Sequence, residues 1–206
     1  MNGISANLEL YYRVFVFTGH HCFLRKMKTV SLILFWSLLL YSCKEVSFHE
    51  PQPVGIPALK EVPKTLQGRY LGINDQGNET DTLIVESWGY HFKDAKDNDW
   101  LGRGVISDSL VIKLYENYCF VNFRSGDQWV LRVIKQKSSG SIVFMSINIA
   151  DDAKEKEILK KLSKKFTVKE VQRKDDTFYQ INPTRDQLMQ LIKEGNFTGD
   201  ELAKVK

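Results

Sequence analysis

The sequence predicts a β-rich α+β domain: an antiparallel meander, open to a barrel-like arrangement, followed by two C-terminal helices. Three observations carry that prediction. From about Leu66 onward, short runs rich in β-branched and aromatic residues recur, among them QGRYLGIN, DTLIVESWGYHF, DSLVIKLY, NYCFVNF, QWVLRVIKQ and SIVFMSINI. Turn-forming pieces (NDQGNE, RSGD and KSSGS) separate them. Further on, apolar residues recur at helical spacing, in DDAKEKEILKKLSKKF and NPTRDQLMQLIKEGNF.

Each element has its own signature. Trp129, Leu131 and Val133 alternate onto one face of a strand, and Val143, Met145, Ile147 and Ile149 onto a face of the next. Residues 117–149 therefore read as a three-stranded antiparallel meander with tight turns. Two strand entries resemble each other, Asp81 to Val85 and Asp108 to Ile112, but five positions do not make a repeat. The first helix has Asp151 or Asp152 as its N-cap, lysines near its C-terminus, and a stripe of Ile158, Leu159, Leu162 and Phe166. Next, FTVKEVQRKDDTFYQIN reads as a hairpin turning near Lys174 and Asp175. Thr184 and Gln187 fit a capping box for the second helix, Leu188, Leu191 and Ile192 its buried side, and Gly195 its stop. The closing ELAKVK reads as an edge strand.

The formal charge of +4 on 206 residues says little about partners. Arg13, Arg25, Lys26 and Lys28 face only Glu9 before Cys43, so the rest carries 25 basic against 24 acidic side chains. Nothing in that balance points to nucleic acid.

The N-terminal part has a different grammar. Residues 29–42 (TVSLILFWSLLLYS) hold no charge, follow Arg25, Lys26 and Lys28, and are shorter than the ~20 residues of a membrane-spanning helix. A basic region and a short apolar run are the layout of a secretory signal. The run ends in Leu40-Tyr41-Ser42-Cys43, which resembles the lipobox of bacterial lipoproteins; Tyr41 departs from the usual small residue. That resemblance implies cleavage before Cys43 and acylation there, two or three chains giving stable attachment at about 0.8 kcal/mol per buried CH₂. Residues 1–42 would then be leader, with Met27 the natural start, since "MKTVSLILFWSLLLYS" is by itself a compact signal. Lys44 stands where, by the sorting rule of many Gram-negative lipoproteins, Asp would favour inner-membrane retention; this implies the outer membrane.

Residues 44–63 contain Pro51, Pro53, Pro57 and Pro63, so 43–63 reads as a lipidated cysteine on an extended tether and 64–206 as one globular domain. "EPQPVGIPALKEVPKTLQGRYLG…DTLIV" resembles uncharacterised β-rich lipoproteins of the Bacteroidota, a likeness that brings no activity with it.

Chemistry-bearing motifs are scarce. No nucleophile elbow, zincin motif, phosphate loop or paired cysteines occur, which leaves the catalytic, metal and cofactor assignments at none. His20-His21-Cys22 precedes the apolar run and reads as leader. Asp94, Asp97 and Asp99 suggest a calcium loop, but the EF-hand order fails and a solvated acidic loop is the expectation. Cys119 reads as a buried, inert thiol. The lysines at 154, 156, 160, 161, 164 and 165 read as a solvated helix face that could also meet anionic lipid or glycan. Tyr70, Trp88, Tyr90, Phe92, Trp100, Tyr115, Tyr118, Phe120 and Trp129 read as core first and as pocket lining second. The expectation is a membrane-anchored envelope lipoprotein acting as a non-enzymatic binding module for a protein or glycan. A barrel-like carrier of a small apolar ligand is the alternative, and an enzyme with dispersed carboxylates a further one.

Overall fold

The computed structural model describes residues 43–73, 79–93, 102–149, 152–174 and 176–205. Residues 1–42, expected as leader and carrying Leu40-Tyr41-Ser42 and His20-His21-Cys22, lie outside them, as do the stretch from Asp94 to Asp99 expected as an acidic loop, Trp100 and Asp151. One compact unit spans Cys43–Lys206.

The strands are β1 (Cys43–Phe48), β2 (Gly68–Ile73), β3 (Glu79–Glu86), β4 (Gly89–Phe92), β5 (Arg103–Val105), β6 (Leu110–Tyr115), β7 (Tyr118–Ser125), β8 (Gln128–Gln136) and β9 (Ile142–Ser146). Helix α1 (Asp152–Ser163), β10 (Lys169–Arg173), β11 (Asp176–Ile181), helix α2 (Arg185–Lys193) and β12 (Thr198–Val205) follow. Among the described residues the fold is thus β-rich, with a mixed sheet and two helices. Strands β7 to β9 form the expected antiparallel meander, and β6 adds a fourth strand.

Strand β8 is the hub. Along one edge it pairs with β7; its other edge is shared, Trp129 and Val130 pairing with β1 and Val133 to Gln136 with β9. From β1 the sheet continues through β11 to β10, and from β9 through β12, β2, β3 and β4 to β5. The sheet does not close: no ladder joins β5 to β6 among the described residues, only the bridge of Ser107 with Leu110.

Both faces of the meander are buried. On one side Phe120, Leu131 and Val133 pack with Val46, Phe48 and Ile181 beneath Leu162 of α1 and Leu188, Leu191 and Ile192 of α2. On the other, Cys119, Val121, Phe123 and Val130 face Tyr70, Leu83, Ile142 and Leu66. Helix α2 starts and stops as the sequence predicts. Thr184 and Gln187 make the reciprocal capping box, and Gly195 (φ 75°) lets the Asn196 amide reach the Leu191 carbonyl.

Three expectations are corrected. The segment from Cys43 to Pro63 is not a tether. Its first six residues are an interior strand, parallel to β11 and antiparallel to β8, with Phe48 only 1% exposed. The apolar alternation of Val46 and Phe48 outweighs the nearby prolines, because both residues complete the helix-covered core. This same strand brings a parallel pairing into a sheet expected to be antiparallel throughout. Finally, β12 is no edge strand: Thr198 to Leu202 pair with β9 and Leu202 to Val205 with β2, so it stitches two parts of the sheet together.

Candidate functional site

Alternation along six strands aims a continuous set of apolar side chains at one space. Strand β7 contributes Cys119, Val121 and Phe123, β8 Ile134, and β9 Ile142 and Phe144. From the far wall come Leu83 and Val85 on β3, Tyr90 and Phe92 on β4, with Ile112 on β6. The side chains leave a cavity of about 120 Å³. Cross-strand neighbours set its walls: Leu83 lies opposite Phe92, Val85 opposite Tyr90, and Cys119 opposite Ile134. The Tyr90 ring packs edge-on against Phe92 and Phe123, with centroids 6.3 and 6.1 Å away. Gly104 makes room for it, since a Cβ there would come within 2.4 Å of the Tyr90 ring.

The proline-rich segment is the cavity's cover. Leu59 N donates to Ile112 O (2.8 Å) and Val62 N to Ser87 O (2.9 Å), so the chain runs from β6 to the β3–β4 turn. That course places Val62 and Leu66 in the cavity lining. Tyr70 donates its hydroxyl to Leu66 O (2.9 Å), and Gln136 Nε2 donates to Thr65 O (2.8 Å). Upstream, buried Asn122 on β7 acts like a strand partner for Gln52, accepting from its N–H (2.7 Å) and donating to its carbonyl (2.8 Å). Lys113 Nζ donates to the carbonyls of Pro51 (2.7 Å) and Pro53 (2.9 Å). Burial lowers the Lys113 pKa, partly offset by Glu50 nearby.

Cys119 sits in the cavity wall with its thiol pushed up to about 12 by burial. It is a packing residue, consistent with the inert thiol expected. Cys43 is the first residue of β1, its backbone in register with Asp176. Beside it, Lys44 Nζ donates to Glu155 Oε2 (2.7 Å), and the Tyr179 hydroxyl donates to Glu155 Oε1 (2.5 Å). The bond to Glu155, reinforced by burial, pushes Tyr179 up to about 12. Glu45 holds Arg132 through both guanidinium nitrogens at 2.6 and 3.3 Å.

The expected aromatic set divides. Tyr90 and Phe92 line the cavity and Tyr70 lies in the same core; Phe120, with Tyr115, Tyr118 and Trp129 against it, belongs to the helix-covered core. Trp88 lies apart, stacked on His91 with ring centroids 5.9 Å apart and with the Arg103 guanidinium over its ring, 5.1 Å from the centroid. Sequence reasoning missed Val62 and Leu66, which looked like tether and strand entry, and Ile142 and Phe144. For the last two a signal existed: SIVFMSINI is apolar on both alternations, the mark of a strand buried on both faces. Among the described residues no cluster of three His, Cys, Asp or Glu is placed to hold a metal, and no helix is long and apolar enough to cross a membrane. Comparison with protein-family models, curated proteins and solved structures finds no match.

Proposed function

We propose that this chain is a lipid-anchored protein of the cell envelope whose body holds a small apolar molecule. The observation that carries the proposal is the cavity wall, built from aliphatic and aromatic side chains with a neutral thiol. Protein interiors are close-packed, and voids lined by apolar groups are few. At about 24 cal/mol per Å³, the rate for a fully enclosed void, leaving about 120 Å³ empty sets an upper bound of roughly 3 kcal/mol on the cost. An apolar guest removes that cost without leaving any polar group of its own unpaired.

In this reading the sheet wraps the cavity as a barrel-like wall, and the proline-rich strap covers it. The guest's size follows from the volume: an engineered apolar cavity of about 150 Å³ stays dry and takes benzene, so a ring of that size or a short alkyl segment fits. The anchor rests on the sequence, on the short apolar run that ends in Leu40-Tyr41-Ser42-Cys43.

Two measurements test the carrier function. Native mass spectrometry of the purified protein is expected to show a small adduct that organic extraction removes. Benzene added to the extracted protein then raises the melting temperature, by about 1.4 kcal/mol of stability at ten times its Kd. Absence of both, with benzene and short alkanes alike, contradicts the proposal.

A further inference from the structure

Residues next to Cys43 leave no slack for a tether. Lys44 is held by Glu155, Glu45 by Arg132, and Val46 is a core residue 4% exposed. All three lie on β1, which pairs with β11 from its first residue and with β8 near its end. A free segment of about twenty residues would let a domain stand off by up to ~60 Å at about 3.1 Å per residue. Here strand pairing begins at Cys43 itself.

We propose that the body is seated directly on the bilayer, on the end of the fold where β1 starts. This rests on the reading that Cys43 carries the lipid. The seat consists of elements that register and contacts bring to Cys43. Asp176 pairs with it at the start of β11, the turn at Lys174 joins β11 to β10, and the first turns of α1 reach Lys44 through Glu155. Lys154, Lys156 and Lys174 are exposed there. Lysines so close to an acylated residue fall within the surface potential of anionic lipid, which acts over about a Debye length. Glu155, the carboxylate between two of them, is turned inward and engaged by Lys44 and Tyr179, while half-buried Asp176 beside Cys43 offsets part of the field of the three lysines.

The opposite end of β1 defines what faces away. His49 N, one residue beyond β1, donates to Asn182 Oδ1, just before α2. Six strand residues at about 3.3 Å each put the start of α2 roughly 20 Å from Cys43. The seat therefore orients the molecule, with the β10–β11 turn at the membrane and the α2 N-terminus away from it.

The test uses the full chain, processed and acylated in a Gram-negative host. It is reconstituted in phosphatidylethanolamine–phosphatidylglycerol vesicles with a headgroup-nitroxide lipid. A fluorophore is attached through Lys174→Cys in one variant and Asp186→Cys in another; the buried Cys119 thiol stays unlabelled. Strong quenching at position 174 and little at 186 is expected. A flexible Gly-Ser insertion of about ten residues between Cys43 and Lys44, adding roughly 17 Å of reach, is expected to relieve the quenching at 174. Weak quenching at both positions, or no effect of the insertion, overturns the seat while the anchor stands. Labelled palmitate run in parallel separates the two ideas. Incorporation equal in wild type and Cys43→Ala overturns the anchor, and the seat with it.

Discussion

Adding one methylene to each side of the meander distinguishes a real cavity from an ordinary packed core. Val121 on β7 lines the cavity, whereas Val133 on β8, 0% exposed, belongs to the helix-covered core. Both are buried β-branched residues on neighbouring strands, so Val→Leu changes strand propensity alike at the two positions. At Val133 the extra group has nowhere to go, and overpacking costs about 1–3 kcal/mol. At Val121 it enters a space of about 120 Å³ and contributes up to ~0.8 kcal/mol of burial. The two variants should therefore move in opposite directions. Urea unfolding reads this directly: with the usual slope of about 1–3 kcal/mol/M, Val121→Leu raises the midpoint by a few tenths molar and Val133→Leu lowers it by more. In a thermal scan the gain is about 2–3 °C. Equal destabilisation of both variants would refute the claim that the cavity is open space.

Three further outcomes follow from the polar contacts. Tyr179→Phe removes a hydrogen bond to the buried Glu155 carboxylate and should cost about 1.5–3 kcal/mol in chemical denaturation. Because Tyr179 in the folded protein titrates near 12, above its ordinary 10.0, its contribution is complete below pH 10 and is lost as pH rises through 12. Burial also raises Tyr70, so ultraviolet titration should show the variant with one late-titrating tyrosine fewer than the wild type. Asn122→Leu leaves the Gln52 N–H and carbonyl without their side-chain partner, at about 1–3 kcal/mol for each buried group; limited proteolysis should then cut between residues 49 and 66, and an uncut strap would count against the clamp. The Cys119 thiol should ignore a thiol reagent at pH 8 until denaturant is added, whereas rapid reaction in the folded state would contradict its burial.

Local grammar was legible. The capping box at Thr184 and Gln187, the stop at Gly195 and the hairpin around Lys174 depend on residues a few positions apart, and the fold keeps them all. What escaped depends on distant partners. Val46 and Phe48 alternate like a strand, but their partners lie on β8 and β11, more than eighty residues away. Proline density pointed to a solvated tether; the carbonyls of Pro51 and Pro53 instead accept hydrogen bonds from Lys113, a side chain no local pattern connects to them. Glu155 stands among the lysines of a helix face that reads as solvated. It shares a helix face with Ile158, Leu159 and Leu162, and is buried because Lys44 and Tyr179 satisfy it. The cavity itself arises where six strands and the strap converge, which no single stretch encodes.

The proposed carrier function depends on a dry apolar space that accepts a guest. Crystals of protein refolded from denaturant, and so free of any cargo, can be placed under xenon pressure. Xenon among Phe92, Cys119 and Phe123 is the predicted result. A site that takes no xenon, or holds a chain of ordered waters, would contradict the account.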